Sequence, residues 1–337
     1  MATTLQQVAV LAGVSLATAS RVLNGSARKP REDVAVRVQQ AALELGYVPN
    51  AQAQALARSS TGLIGLVVQD IADPYFSMIA YGVQSVAQQN GRQMLLASTN
   101  RDPVAEHASF SAFMAYRTDA IVMAGSRRSG EASGQDRLVQ LAAAYTRNGG
   151  TVAIIGQQVD DYISVVPNNA DGAARLAREL LTVGHRRFAL ITGPDWLRTS
   201  TDRINAFRAE VGGTPGAAIE WSVGTDFSRD GAYDAATAQL SGYADADLPL
   251  CIFATTDVMA LGVLSACRDL GLRVPGQIGV AGFDDINTLR DTSPSMTTVR
   301  LDLEGMGRAA AQLVTNPDSD APRRFDAVPI LRESTLL

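Results

Sequence analysis

The sequence predicts an α/β protein: a small all-α head followed by a larger, two-lobed α/β body. Three observations predict it. Residues 4–45 carry helical periodicity alone, and from Gly62 onward short apolar runs alternate with helical segments. That alternation runs through two similar series in a 337-residue chain, more than one ordinary core fills. A hydrophobic fraction of 46% against 19% charged residues is that of a folded globular chain, not a disordered one.

The head is read from its spacing. In TLQQVAVLAGVS, Thr4 precedes a stripe of Leu5, Val8, Ala9 and Ala12, and Thr4 with Gln7 has capping-box spacing. Gly13 stops this helix and Ser15 is placed to cap a second, SLATASRVLNG, which Gly25 closes. Ala19, Val22 and Leu23 lie on its inner side. Leu16, Ala17, Ser20, Arg21 and Asn24 lie on the other. A third helix over about Glu32–Leu45 turns Val34, Val38, Ala41 and Leu45 to one side. Two short helices joined by a glycine turn are either an ordinary helical hairpin or the helix-turn-helix that sets its second helix into a DNA major groove. The hydroxyl, guanidinium and amide on the open face suit phosphates and base edges and favour the second reading.

Charge agrees. Residues 1–60 hold six basic side chains (Arg21, Arg28, Lys29, Arg31, Arg37, Arg58) and three acidic ones, a net +3. The chain totals −5, so the remainder carries −8, and a basic head on an acidic body points to a polyanion partner for the head.

TLQQVAVLAGVSLATASRVLNG, followed by LELGYVPNAQAQALARSSTGLIGLVV, resembles the head and hinge of the lactose-repressor (LacI) family of bacterial transcription regulators, and the likeness recurs along the whole chain. The resemblance implies a DNA-binding head at 1–48, a hinge helix and linker at 49–61, and a periplasmic-binding-protein-like effector and dimerisation domain at 62–337. In that domain it implies one lobe of about 62–160 and 291–318, and a second of about 161–290 and 319–337. It assigns DNA contacts to Thr4, Ser15, Leu16, Ala17, Thr18, Ser20, Arg21, Asn24 and Arg28, with Leu16, Ala17 and Arg21 reading bases. Asn50 would cap the hinge helix, Gln54 would face DNA, and Leu56 would wedge between minor-groove base pairs; the alternative is that Leu56 packs against the body. Gln7, Val34-Ala35 and Gln54 depart from the family's usual residues.

In the body, GLIGLVVQ, RQMLLAST, DAIVMAG and TVAIIG read as strands with helices between them, and RFALITG, LCIFAT and IGVAGF form a second strand series. Ligands of such sheets bind beyond the strands' carboxyl ends. Arg203 and Asp284 each follow a strand of the second series, and together they could grip hydroxyls or a carboxylate. Tyr75, Phe76 and Phe227 offer flat apolar faces, with core packing as the alternative. The resemblance places effector contacts at Tyr75, Phe76, Thr199, Arg203, Phe227, Thr256 and Asp284. IIGQQ stands where the family commonly has Ile-Asp-Arg, which removes a carboxylate and a guanidinium at 156 and 157.

An enzyme is not expected. There is no GxGxxG after a strand, no GxxxxGK[ST] loop and no GxSxG elbow, and His185 of GHRRF sits where a turn role outweighs proton transfer. Neither a cofactor nor a metal is expected, since Cys251 and Cys267 have no ligand-spaced partners. The body alone fits a transport receptor equally well. No signal peptide or membrane span is visible, and together with the head this favours a cytoplasmic, nucleoid-associated repressor. Its expected partners are double-stranded operator DNA, a small-molecule effector and a second copy of the chain, a homodimer; no membrane is involved.

Overall fold

A computed structural model describes residues 3–24, 30–49, 60–126, 135–159, 162–243, 249–316 and 318–336. Contacts divide the chain into two compact units, Met1–Gly62 and Leu63–Leu337.

The first unit holds three helices, α1 (Leu5–Leu11), α2 (Leu16–Asn24) and α3 (Glu32–Glu44). The capping box forms at α1: the Gln7 amide donates to the Thr4 hydroxyl at 3.4 Å, and the Thr4 amide donates to Gln7 Oε1 at 2.8 Å. Gly13, at φ +65°, turns the chain in the left-handed region that glycine adopts without strain. Ser15 Oγ accepts from the Thr18 amide at 3.1 Å and caps α2. Val8, Ala9, Ala12, Ala19, Val38, Ala41 and Ala42 make the core, with Val22, Leu23, Val34 and Leu45 packed at its edge. Five of those seven core side chains are alanine, which lets the helix backbones approach closely.

The second unit contains two parallel sheets. The first has the order β11-β5-β4-β3-β1-β2, built from β1 (Leu63–Val68), β2 (Gln93–Ser98), β3 (Ala120–Ala124), β4 (Thr151–Ile155), β5 (Ile163–Pro167) and β11 (Arg324–Phe325). The second has the order β7-β6-β8-β9, from β6 (Arg187–Thr192), β7 (Ala218–Gly224), β8 (Leu250–Ala254) and β9 (Ile278–Ala281). β10 (Thr298–Arg300) and β12 (Val328–Ile330) pair antiparallel beside them.

Both faces of each sheet are covered, and the strands show it by alternation. Ile64, Leu66 and Val68 join the core that includes α4 (Pro74–Gln89) and α11 (Leu303–Thr315), whereas Val67 joins the one under α5 (Pro103–Ala115) and α6 (Gln135–Arg147). In the second sheet Phe188 and Leu190 face α7 (Asn169–Thr182) and α8 (Arg198–Gly212), while Ala189 and Ile191 face α9 (Arg229–Leu240) and α10 (Asp257–Asp269). One core cluster runs from the first sheet into the α7–α8 side of the second, so the two sheets share a continuous apolar interior. α4 and α11 cross in near contact. A Cβ at Gly82 would stand 2.1 Å from the Glu304 carbonyl oxygen, and one at Gly307 2.2 Å from that of Ile79.

Several elements were not read from the sequence. β7 is an edge strand alternating half-buried with exposed residues, and the buried side of α9 is mostly alanine, so neither shows a strong apolar run. β5 pairs with β4 in the first sheet, so the chain is still in that sheet beyond residue 160, where the resemblance had it leave. β11 likewise pairs with β5 rather than with the second sheet, and Thr297 and Arg300 bridge to residues at and just after β9 before α11 begins. These strands are two to five residues long, too short for a periodic signal.

Candidate functional site

Side chains from the carboxyl ends of both sheets meet around one pocket. From the first sheet come Gln69 after β1, Asp73, Tyr75 and Phe76 at the start of α4, Arg101 after β2 and Ser126 after β3. From the second come Thr199 and Arg203 on α8, Phe227 after β7, Thr256 after β8 and Asp284 after β9. The space among them is about 380 Å3, its open mouth included. All seven side chains expected at an effector site line this pocket. Gln69, Asp73, Arg101 and Ser126 were missed, although each follows a first-sheet strand in the position that singled out Arg203 and Asp284.

Local structure fixes their directions. Asp73 caps α4, accepting from the Tyr75 amide at 2.9 Å, and Thr256 caps α10, accepting from the Met259 amide at 3.3 Å. Tyr75 and Phe76 stand edge to face with ring centroids 4.9 Å apart. Asp284 and Asp285 have φ of +119° and +57°, and these strained turns split the two carboxylates. Asp285 pairs with Arg300 at 2.7 Å and with Arg332. Asp284 faces the pocket and pairs with Arg203 at 2.8 Å.

Arg203 is 1% exposed and fully engaged. Its Nε donates to Asn169 Oδ1 at 2.9 Å, Nη1 to the Thr255 carbonyl at 2.7 Å and Nη2 to Asp284, while its plane lies 3.7 Å above the Phe283 ring. Burial pushes the Asp284 carboxyl up to about 7 despite that partner. Burial also raises Asp73 and the Tyr75 hydroxyl.

The two sides are bonded to each other. The Thr199 amide donates to Ser126 Oγ at 3.1 Å, and Gln157 Nε2 donates to Thr199 Oγ1 at 2.8 Å. The IIGQQ departure is thereby explained in part: Gln157 holds the opposite side. Gly156, at φ +136°, has room for no side chain, since a Cβ would stand 2.8 Å from the Gly125 carbonyl oxygen.

In the head, Leu16, Ala17 and Arg21 are exposed on α2, with Ser20 and Asn24 half-buried beside them. Asn24 Nδ2 donates to Ser20 Oγ at 2.9 Å, and the Ser15 and Thr18 hydroxyls are 2.8 Å apart. These side chains share the side of α2 that the sequence left open. Arg28, Asn50, Gln54 and Leu56 lie outside the described residues. His185 is buried with Nε2 2.9 Å from the Thr335 carbonyl oxygen, a structural contact.

Comparison with known proteins joins the two units. Residues 4–50 match the model of bacterial regulatory proteins, lacI family, and residues 177–335 match a periplasmic binding protein-like domain. The HTH-type transcriptional regulator DegA of Bacillus subtilis (strain 168) is 32% identical over 316 residues, covering 91% of this chain and 89% of DegA. The chain belongs to the LacI family. Another relative, the HTH-type transcriptional repressor PurR of Proteus mirabilis (strain HI4320), is 30% identical over 96% of this chain and 92% of its own length. As a LacI-family member the chain is a DNA-binding transcriptional repressor controlled by effector binding, and these relatives are regulators rather than enzymes. The lac repressor dimer solved with operator and the anti-inducer ONPF has the same fold over all of both chains, with a TM-score of 0.84 at 24% identity. The CelR–cellobiose complex aligns over 98% of this chain and 99% of CelR, with a TM-score of 0.67 and 27% identity.

Proposed function

We propose that this LacI-family protein represses a catabolic operon by binding a pseudo-palindromic operator as a homodimer, and that a small polar metabolite in the pocket, a sugar or sugar derivative, controls it. The observation that carries the reading is the convergence of eleven side chains from both sheets on one pocket, where hydrogen-bonding groups surround the Tyr75, Phe76 and Phe227 rings. CelR, solved with cellobiose, supports a sugar ligand by similarity. We assign residues 1–48 to the DNA-reading head, 49–61 to the hinge with Leu56 as its wedge, and 62–337 to effector binding and dimerisation. One head reads few base pairs, so specificity calls for two on a symmetric site. A ligand held between the sheets shifts their relative angle and through it the operator affinity. Such a regulator works in the cytoplasm, where its DNA is.

The test begins with selection of a preferred duplex from random sequence by the purified chain, followed by anisotropy titrations at several salt concentrations. A two-fold symmetric preferred site and a log–log salt slope of several phosphates are expected. Arg21→Ala lowers affinity for that site by about 10- to 100-fold and relaxes one base position on each half. Binding without sequence preference sinks the reading.

A further inference from the structure

We propose that the effector carries an oxyanion, a carboxylate or phosphate, which Arg101 grips, on a hydroxylated frame whose donors face Asp73 and Asp284. The inference rests on the pocket being the effector site and narrows its ligand from polar metabolites to acidic ones: sugar acids or sugar phosphates.

It starts from the turn STNRDP at the end of β2. Asn100 and Arg101 have φ of +50° and +61°, two consecutive non-glycine residues in the left-handed region. The turn is held by the Asp102 amide, which donates to the Thr99 carbonyl at 2.9 Å. The Asp102 carboxylate caps α5 through the Val104 and Ala105 amides at 3.0 and 3.3 Å. This strained, doubly anchored turn places Arg101 in the pocket lining.

Its charge acts on the Asp73 carboxyl, which burial raises and Arg101 partly lowers, without closing an ion pair. Nε is buried and has no hydrogen-bond partner, and among the described residues no carboxylate lies within ion-pair distance. The guanidinium lies over the ring of Phe227, contributed by the other sheet, 5.6 Å from guanidinium carbon to centroid. A buried donor without an acceptor is unfavourable, and the guanidinium fork matches the paired oxygens of a carboxylate or phosphate. The pocket's other arginine is already held in place and charge-paired: each Arg203 nitrogen donates once, to Asn169, Thr255 and Asp284.

The acids around it set the rest of the ligand. Asp73 and Asp284 line the same pocket and ask for donors such as hydroxyls, not for a second anion. Burial raises both carboxyls, Asp284 to about 7, so Asp284 carries only part of its negative charge near neutral pH. Phe227 offers its face to the carbon frame between these polar ends.

The experiment uses the full chain, by thermal melting and calorimetry at constant ionic strength. Probes are inorganic sulfate and phosphate against chloride, then glucose, gluconate, glucuronate, galacturonate and glucose 6-phosphate. The expected result is that sulfate or phosphate raises Tm, and that an acidic probe binds at least ten-fold more tightly than its neutral counterpart. The carboxylate and phosphate members separate the two oxyanion sources. Arg101→Gln lowers acidic-probe affinity at least ten-fold, leaves Tm in chloride unchanged, and Arg101→Lys recovers part of the loss. Three results overturn the proposal: neutral sugars binding as tightly as acids, anion effects surviving in Arg101→Gln, or no effect of any anion on Tm. The effector reading stands apart from these. Neutral-sugar binding that is lost in Phe227→Ala keeps the pocket and rejects the oxyanion; no binding by any probe, with operator affinity also unmoved by each, counts against both.

Discussion

Arg203 and Arg101 line one pocket from opposite sheets, and they differ in what the protein has already provided for them. Arg203 is buried with acceptors on all three nitrogens and an aromatic ring beneath it. Arg101 has an aromatic ring beside it and, among the described residues, no acceptor for its buried Nε. The first is a scaffold: it fixes Asp284, Asn169 and the end of β8 before any ligand arrives. The second keeps a buried donor unpaired among the described residues, which is what the proposed oxyanion would satisfy. Two identical side chains in one site therefore carry different information, and hydrogen-bond completeness separates them where position does not.

The largest expected effect follows from breaking the scaffold. Arg203→Met leaves Asp284 and Asn169 buried without their partner and lowers stability by about 3–5 kcal/mol, as removal of one member of a buried pair does. A urea titration reads it, and a loss below about 1 kcal/mol would place Arg203 among ligand-waiting groups as well.

A smaller effect concerns pH. Asp284 is raised to about 7, and Asp257, which accepts from Thr298 Oγ1 at 2.6 Å and the Ile286 amide at 2.9 Å, is also raised well above its usual value, by burial and by the neighbouring Asp284 and Asp285. Unfolded carboxyls release their protons near 4, so between about pH 4 and 7 the unfolded chain binds fewer protons than the folded one, and stability falls as pH rises. The urea midpoint should drop from pH 5.5 to 7.5, and drop less in Asp257→Asn. Buried His185, held below its usual range by burial, acts in the opposite direction, so the difference between the two proteins is the quantity to read. Equal slopes remove Asp257 from the account.

The smallest effect is the sharpest contrast. Arg101→Gln, which takes nothing from a hydrogen-bond network, should change stability by no more than about 0.5 kcal/mol. A loss approaching that of Arg203→Met would show that Arg101 holds the pocket together instead of waiting for a ligand.

The sequence announces Arg203 and Asp284 and passes over Arg101. The first two stand beside glycine-punctuated strand ends, GPDWLRTST and AGFDD, in a series of strong apolar runs. Arg101 sits in STNRDP, where Asp-Pro reads only as the start of a helix and nothing in the letters shows a left-handed backbone. The head was legible almost to the atom, because caps and helical stripes are local: Thr4, Gln7, Ser15 and the alanine core need only neighbours within a few residues. β5, β10 and β11 were not, because two to five residues gain their strand state from partners far along the chain.

Ser334 and Thr335 are buried against the second sheet, where Ser334 Oγ donates to the Val280 carbonyl at 2.6 Å and accepts from the Thr297 amide at 2.8 Å, while the Thr335 carbonyl meets His185 at 2.9 Å. β11 meanwhile completes the edge of the first sheet. Both sheets thus wait for residues 324–335, while the first unit closes a core of its own from residues some 280 positions earlier in the chain, between Val8 and Ala42. At roughly 5–20 residues per second, the stretch that supplies the first core is synthesised some tens of seconds before the stretch that completes both sheets.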